Sequence, residues 1–217
     1  MNTPDASAVS ARVAEVRERI AAAARRAGRD ADEVTLVAAT KTVDLDRVRA
    51  VVDAGVADLG ENRAQELLAK IELGAGVRWH FLGRLQRNKV RALAPWVSCW
   101  QSVDRPELGA EVARRAPGAS VLVEVNLGAE PQKGGCAPAA LPGLIERLQH
   151  DGLLVSGLMT VPPHDGDPRA WFAALREHAG ALGLPQLSMG MTDDFEVAIE
   201  EGATIVRVGR AFFGPRT

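Results

Sequence analysis

The chain has 217 residues, 47% of them hydrophobic, with 26 basic against 28 acidic side chains and a net charge of -2. That balance gives no reason to invoke nucleic acid or an anionic membrane as partner, and no stretch approaches the apolar length needed to span a bilayer. Cys99 and Cys136 lie far apart without CxxC spacing and Met1 to Ser10 lacks a basic start and apolar run, so the expectation is a cytoplasmic protein with reduced thiols and no zinc site.

Val9, Val13, Val16 and Ile20 recur at helical spacing, which predicts a helix over Ala6–Gly28, stopped by the glycine. Val34–Thr40 is a β-branched apolar run and reads as the first strand, with Lys41 at its C-terminal tip. Asp44 is placed to cap a helix that carries Leu45, Val48, Val51 and Val52 on one face and stops at Gly55. A short strand over Ala57–Leu59 leads into Gly60-Glu61-Asn62, and a helix follows from Ala64 to Leu73. The same alternation continues with strands at Trp79–Leu82, Val97–Gln101, Ser120–Asn126, Leu153–Thr160, Leu187–Met189 and Thr204–Val208. Helices are predicted between them at Asn88–Leu93, Arg105–Arg115, Pro138–His150, Asp167–Leu182 and Asp193–Glu201.

Eight short strands separated by helices, with no linker, predict one (β/α)8 barrel domain over residues 1–217. The extra N-terminal helix is expected to cap the barrel bottom. A doubly wound open sheet is the competing fold. It would carry a glycine-rich turn after the first strand, where this chain has Thr40-Lys41-Thr42.

Barrel chemistry collects at the C-terminal strand ends. A lysine there is either a plain exit to solvent or, held inside a site, an amine that forms a Schiff base with an aldehyde. Thr192 stands at the predicted N-cap of the helix that opens Asp193-Asp194, where free N–H groups favour an anion. Gly209 allows close backbone approach, so its N–H and that of Arg210 can face the same anion. Phosphate held by the last two βα loops is a recurrent barrel feature, although Asp193 and Asp194 compete for the same helix end. An aldehyde-reactive amine and a phosphate cradle on adjacent walls fit pyridoxal 5′-phosphate.

Several segments resemble the pyridoxal phosphate homeostasis family, single-domain relatives of the alanine racemase barrel of fold-type III. They are Leu36–Lys41, Gly60-Glu61-Asn62, His80–Lys89, Ser102-Val103-Asp104, Val125-Asn126, Gly157–Thr160, Ser188–Asp194 and Val206–Gly209 with Phe213-Gly214. The resemblance implies a Schiff base on Lys41 and phosphate contacts from Thr192, the backbone of Gly209 and Arg210, and Ser188. It implies that Arg207 faces the pyridine nitrogen and disfavours its protonation. It also implies that Asn62 and His80 lie near the ring or the barrel mouth. The chain departs from the family pattern at Arg63, where an aromatic is common, at Thr192, where serine is common, and at Arg210, where a small hydroxyl residue is common. Gln86 and Lys89 either cover a surface helix or approach the barrel mouth. Lys133, in a glycine-rich loop, is expected to be solvated, with a second cofactor-reachable lysine as the alternative. His150, His164 and His178 read as surface residues, and the four tryptophans as packing.

The racemase relatives use two bases, a lysine and a tyrosine supplied by a second domain. This chain has no tyrosine and stops at Thr217, just after the eighth strand. A monomeric carrier or buffer of pyridoxal phosphate without robust turnover is therefore expected, with apo-enzymes as transient partners. A racemase-like enzyme with a substitute base is the alternative. A sugar-phosphate barrel enzyme with a substrate imine on Lys41 is a third.

Overall fold

In the computed structural model the description covers residues 6–163 and 166–214. Eight parallel strands close in sequence order. They are β1 (Thr35–Ala39), β2 (Asp58–Glu61), β3 (Arg78–Phe81), β4 (Val97–Val103), β5 (Ser120–Glu124), β6 (Leu154–Met159), β7 (Gln186–Ser188) and β8 (Ile205–Val208). The helices are α1 (Ala6–Arg26), α2 (Leu45–Asp53), α3 (Ala64–Leu68), α4 (Arg87–Leu93), α5 (Pro106–Arg115), α6 (Leu141–His150), α7 (Pro168–Ala181), α8 (Phe195–Glu200) and α9 (Arg210–Phe213). This is the expected (β/α)8 barrel with an additional N-terminal helix. Its closure rules out the open doubly wound sheet.

The apolar residues divide in two. The larger core lies between strands and helices, and a small set lies apart from it: Val37, Cys99, Leu122, Met159 and Ile205, one each from β1, β4, β5, β6 and β8. Their alternation along the strands identifies them as the barrel interior. Asp58, His80, Gln101, Ser188 and Arg207 are buried polar residues of the strands, and these matter most for the site.

The N-terminal helix does not cap the barrel bottom. It packs beside α2, α8 and α9, in the ring position left open because β8 is followed by only a four-residue helix. Val9, Val13, Val16, Ile20, Ala23 and Ala24 are buried along this contact. Arginines around that stripe fasten its edges. Arg12 donates to the Phe212 carbonyl, Arg17 to those of Ala54 and Gly55, and Arg19 and Arg26 pair with Glu196 and Glu200.

Two local differences from the sequence expectation bear on the site. The helix expected over residues 64–73 stops at Leu68 and resumes only as a 3-10 turn at Ile71–Leu73. The break brings Lys70 inward, where its side chain is buried. The helix expected from Asp193 starts at Phe195 instead, with Asp194 at its N-cap position. Thr192 therefore lies in the loop, three residues before the helix. The Asp194 carboxylate accepts from the Met191 N–H at 2.5 Å, which closes that loop on itself.

Candidate functional site at the barrel mouth

Strand pairing determines which sequence-predicted residues meet. β1 pairs with β8 in a register that sets Ala38 level with Val208, so Lys41 and Gly209 leave adjacent strands on the same rim. A Cβ on Gly209 would come within 3.1 Å of the Ala39 carbonyl, so that approach has little room for a side chain. The Gly209 N–H donates to the Thr192 hydroxyl at 3.4 Å, joining the β7 and β8 loops. Lys41 is half-buried and is followed by Thr42 in the left-handed region, at φ 63°. Lys41 and the Gly209–Thr192 contact thus stand at the ends of neighbouring strands on one side of the mouth. Arg210 turns its guanidinium outward to an exposed ion pair with Asp193. Its side chain is committed to the loop beside Thr192.

Ser188, Arg207 and His80 belong to one buried chain of hydrogen bonds through the interior. Arg207 donates through Nη1 to the Ser188 hydroxyl at 2.6 Å and through Nη2 to the Thr160 carbonyl at 2.9 Å. Ser188 donates to Oε1 of Gln101 at 2.6 Å. The Gln101 amide lies 2.7 Å from His80 Nδ1, and His80 Nε2 lies 3.0 Å from Asp58. With a carboxylate at one nitrogen and an amide NH2 at the other, Nε2 donates and Nδ1 accepts. Burial works against the Asp58 charge, but the bonds from His80 and Arg78 outweigh it and hold the carboxyl below its usual range. Asp58 and Arg78 open β2 and β3, so His80 is tied toward the barrel bottom by this partner. Sequence reading expects it near the mouth. Gln101, which the sequence marks only as a strand end, links the Arg207–Ser188 pair to the His80–Asp58 pair.

Burial lowers the Arg207 guanidinium to about 10, against the pull of Glu124 and Asp194, so it remains cationic at neutral pH. Glu124, at the end of β5, is pushed up to about 7 by burial and by the nearby Asp104 charge, while Arg207 and Arg84 act in the opposite direction. Burial raises both thiols, Cys99 to about 12 and Cys136 to about 11, so neither is a ready nucleophile at neutral pH.

Asn62 lies on the neighbouring part of the rim, in a cleft of about 530 Å³ shared with Arg63, Arg84, Gln86, Lys89 and Arg105. Gly83 supports this wall, since a Cβ there would sit 2.2 Å from the Asn62 carbonyl oxygen. Lys89 stands on the surface helix α4 and also lines this cleft. Lys133 is not simply solvated. Its amine donates to the Pro162 carbonyl at 3.0 Å and pairs with Glu130 at 2.5 Å. Trp79 and Trp100 are core residues, whereas Trp96 is 43% exposed. His164 lies outside the described residues. Among the described residues no helix is long and apolar enough to cross a membrane, and no cluster of potential metal ligands occurs.

The alanine racemase N-terminal domain profile matches residues 12–217. The pyridoxal phosphate homeostasis protein of Aquifex aeolicus is 45% identical, over 94% of this chain and 97% of its own length. That of Pseudomonas aeruginosa is 42% identical, over 97% and 96%. Among solved structures, PipY of Synechococcus elongatus with pyridoxal phosphate bound superposes with a TM-score of 0.83 at 30% identity, covering 95% of this chain and all of that one. A barrel of this topology with a lysine at the first strand tip, matched along nearly its whole length, places the chain in the pyridoxal phosphate homeostasis protein family, built on the alanine racemase N-terminal domain.

Proposed function

We propose that this protein holds pyridoxal phosphate reversibly on Lys41 and serves as an intracellular carrier or buffer of it. The observation that carries this reading is the β1–β8 register, which sets Lys41 beside the Gly209–Thr192 contact. The donor set fits the cofactor. Lys41 supplies the amine, and Thr192 with the Gly209 and Arg210 backbone supplies phosphate donors. Asn62 lies on the adjoining rim. Arg207 supplies a fixed cation for the ring side, anchored by Ser188 and connected through Gln101 to His80. A solved relative with pyridoxal phosphate bound supports the choice of cofactor.

The bound cofactor would supply an aldehyde. Lys41 would hold it through its Nζ, in a link that water or an incoming amine could reverse. Thr192 and the glycine backbone hold the phosphate, with affinity that does not require Lys41. Arg207 stays charged in its buried setting and so opposes a proton on any ring nitrogen placed against it. A ring kept unprotonated is a poor electron sink, which favours retention over turnover. The 217 residues also include no tyrosine to act as a second base. We place the protein in the cytoplasm as a monomer that passes its cofactor to apo-enzymes. Titration of apo-protein with pyridoxal phosphate, followed by mixing with a cofactor-requiring apo-enzyme, tests this. Saturable binding with recovery of the acceptor's activity is expected. Sustained racemisation or transamination by the protein itself, lost in Lys41→Ala, would instead make it an enzyme.

A further inference from the structure

The lysine proposed to carry the cofactor has a second, buried lysine close to its backbone. Lys70 is 5% exposed. Its amine donates to Glu61 Oε1 at 2.5 Å and to the Thr40 carbonyl at 2.7 Å, and it lies 4.0 Å from Glu66 Oε2. Glu61 is fully buried. Its Oε1 also accepts from the Thr40 hydroxyl at 2.7 Å, and its Oε2 accepts from the Asn62 N–H at 3.2 Å. Glu66 accepts from the Thr42 N–H at 2.5 Å. The residue before Lys41, the residue after it, and Asn62 are therefore all tied to one charge cluster.

A buried ion pair is a poor way to gain stability, because desolvating both charges offsets their attraction. What this cluster provides is direction. Four of its bonds end on Thr40, Thr42 and Asn62. Thr42 is β-branched and left-handed, a conformation that persists only where the surroundings hold it. The Glu66 carboxylate on its N–H does so; Lys70 stands 4.0 Å from the same oxygen, and Arg63 lies 3.5 Å from the other. Between these two anchors the Lys41 backbone has little freedom, so its Cα–Cβ direction is fixed.

We propose that Lys70, through Glu61 and Glu66, is the positioning residue for Lys41, and that this clamp sets how long the protein retains its cofactor. The proposal rests on the carrier reading above. Lys70 acts without touching the cofactor. It holds the peptide that aims the reacting amine, and an amine aimed less well closes and keeps the link less readily.

Three variants test it. Lys70→Met alone strands the buried Glu61 charge, so Lys70→Met/Glu61→Gln removes both charges together. Glu66→Gln acts on the half-buried arm, where folding is least at risk. Lys70→Arg keeps the cation. Each is loaded with pyridoxal phosphate, its melting is followed, and two quantities are read: the rate of cofactor loss to excess apo-enzyme, and the pH midpoint of the visible absorption band. The folded double variant and Glu66→Gln are expected to lose cofactor about tenfold faster with a displaced midpoint, and Lys70→Arg to return toward wild type. Glu66→Gln, with or without a folded double variant, showing the wild-type rate and midpoint would overturn the clamp. A wild-type protein that cannot be labelled at Lys41 by borohydride would overturn the carrier reading itself, so the two failures are distinguishable.

Discussion

The Ser188 hydroxyl sits 2.6 Å from Arg207 Nη1 and 2.6 Å from Gln101 Oε1, accepting from the first and donating to the second. Both of its roles are used inside the barrel. Its direct contribution is to fix the arginine. Replacing Ser188 with alanine leaves a buried guanidinium short of an acceptor and a buried amide oxygen short of a donor. A loss of about 1.5–3 kcal/mol is expected by urea denaturation, the range for hydrogen bonds to charged groups. Borohydride labelling at Lys41 should survive. A stability change near zero would mean that water replaces the hydroxyl.

Thr192 and Arg210 should behave differently although they are neighbours on the rim. Thr192→Ala removes the hydroxyl that joins the β7 and β8 loops and is expected to weaken pyridoxal phosphate binding about tenfold, the worth of one charge-assisted hydrogen bond. Arg210→Thr breaks an exposed pair with Asp193, so stability should move by no more than about 1 kcal/mol. Equilibrium titration of both variants with pyridoxal phosphate separates the cases. A larger loss from Arg210→Thr than from Thr192→Ala would mean that the guanidinium swings onto the phosphate.

Glu124 predicts a pH dependence with a definite sign. Its folded carboxyl is raised from 4.5 to about 7, chiefly by burial. Below pH 4.5 folded and unfolded chains both hold the proton and the group contributes nothing. As pH rises from 4.5 to 7 the unfolded chain gives the proton up first, so the native state loses stability, by up to about 3 kcal/mol above pH 7. Glu124→Gln should flatten this slope in the apo-protein, matching wild type near pH 4.5 and exceeding it at pH 8. Parallel melting curves across that range would contradict the shift.

Lys41→Ala should separate fold from attachment. The side chain is half-buried at a strand tip and belongs to neither apolar cluster, so the melting temperature should move by only a few degrees. Residual, rapidly reversible binding through the phosphate donors is expected. Its loss to below detection, with the fold intact, would mean that the covalent link supplies nearly all the affinity.

The periodic features of the chain were legible because their cause is local. Apolar runs and glycine stops marked the strands, and Asp44 does accept from the Arg47 N–H as its capping position predicts. Lys41 and Gly209 were legible because strand ends in a barrel converge. What depended on distant partners was not. Ser188, His80 and Arg207 join one interior chain only when β3, β4, β7 and β8 close around it. The N-terminal helix was expected at the barrel bottom because its stripe says that it packs, not where. Lys70 was hidden inside an apparent helix, since nothing in Leu67–Leu73 announces that the helix breaks to bury its amine. The Glu66 and Lys70 spacing of four was the one available signal, and on a regular helix it would have read as a surface pair.

On the proposed function Lys41 is the covalent hook for the cofactor. The most direct measurement is borohydride reduction of protein loaded with pyridoxal phosphate, followed by peptide mass analysis. One stable pyridoxyl adduct is expected, on the peptide containing Lys41, and none from Lys41→Ala. An adduct found chiefly on Lys70, Lys89 or Lys133, or no adduct on a protein that nonetheless binds the cofactor, would contradict it.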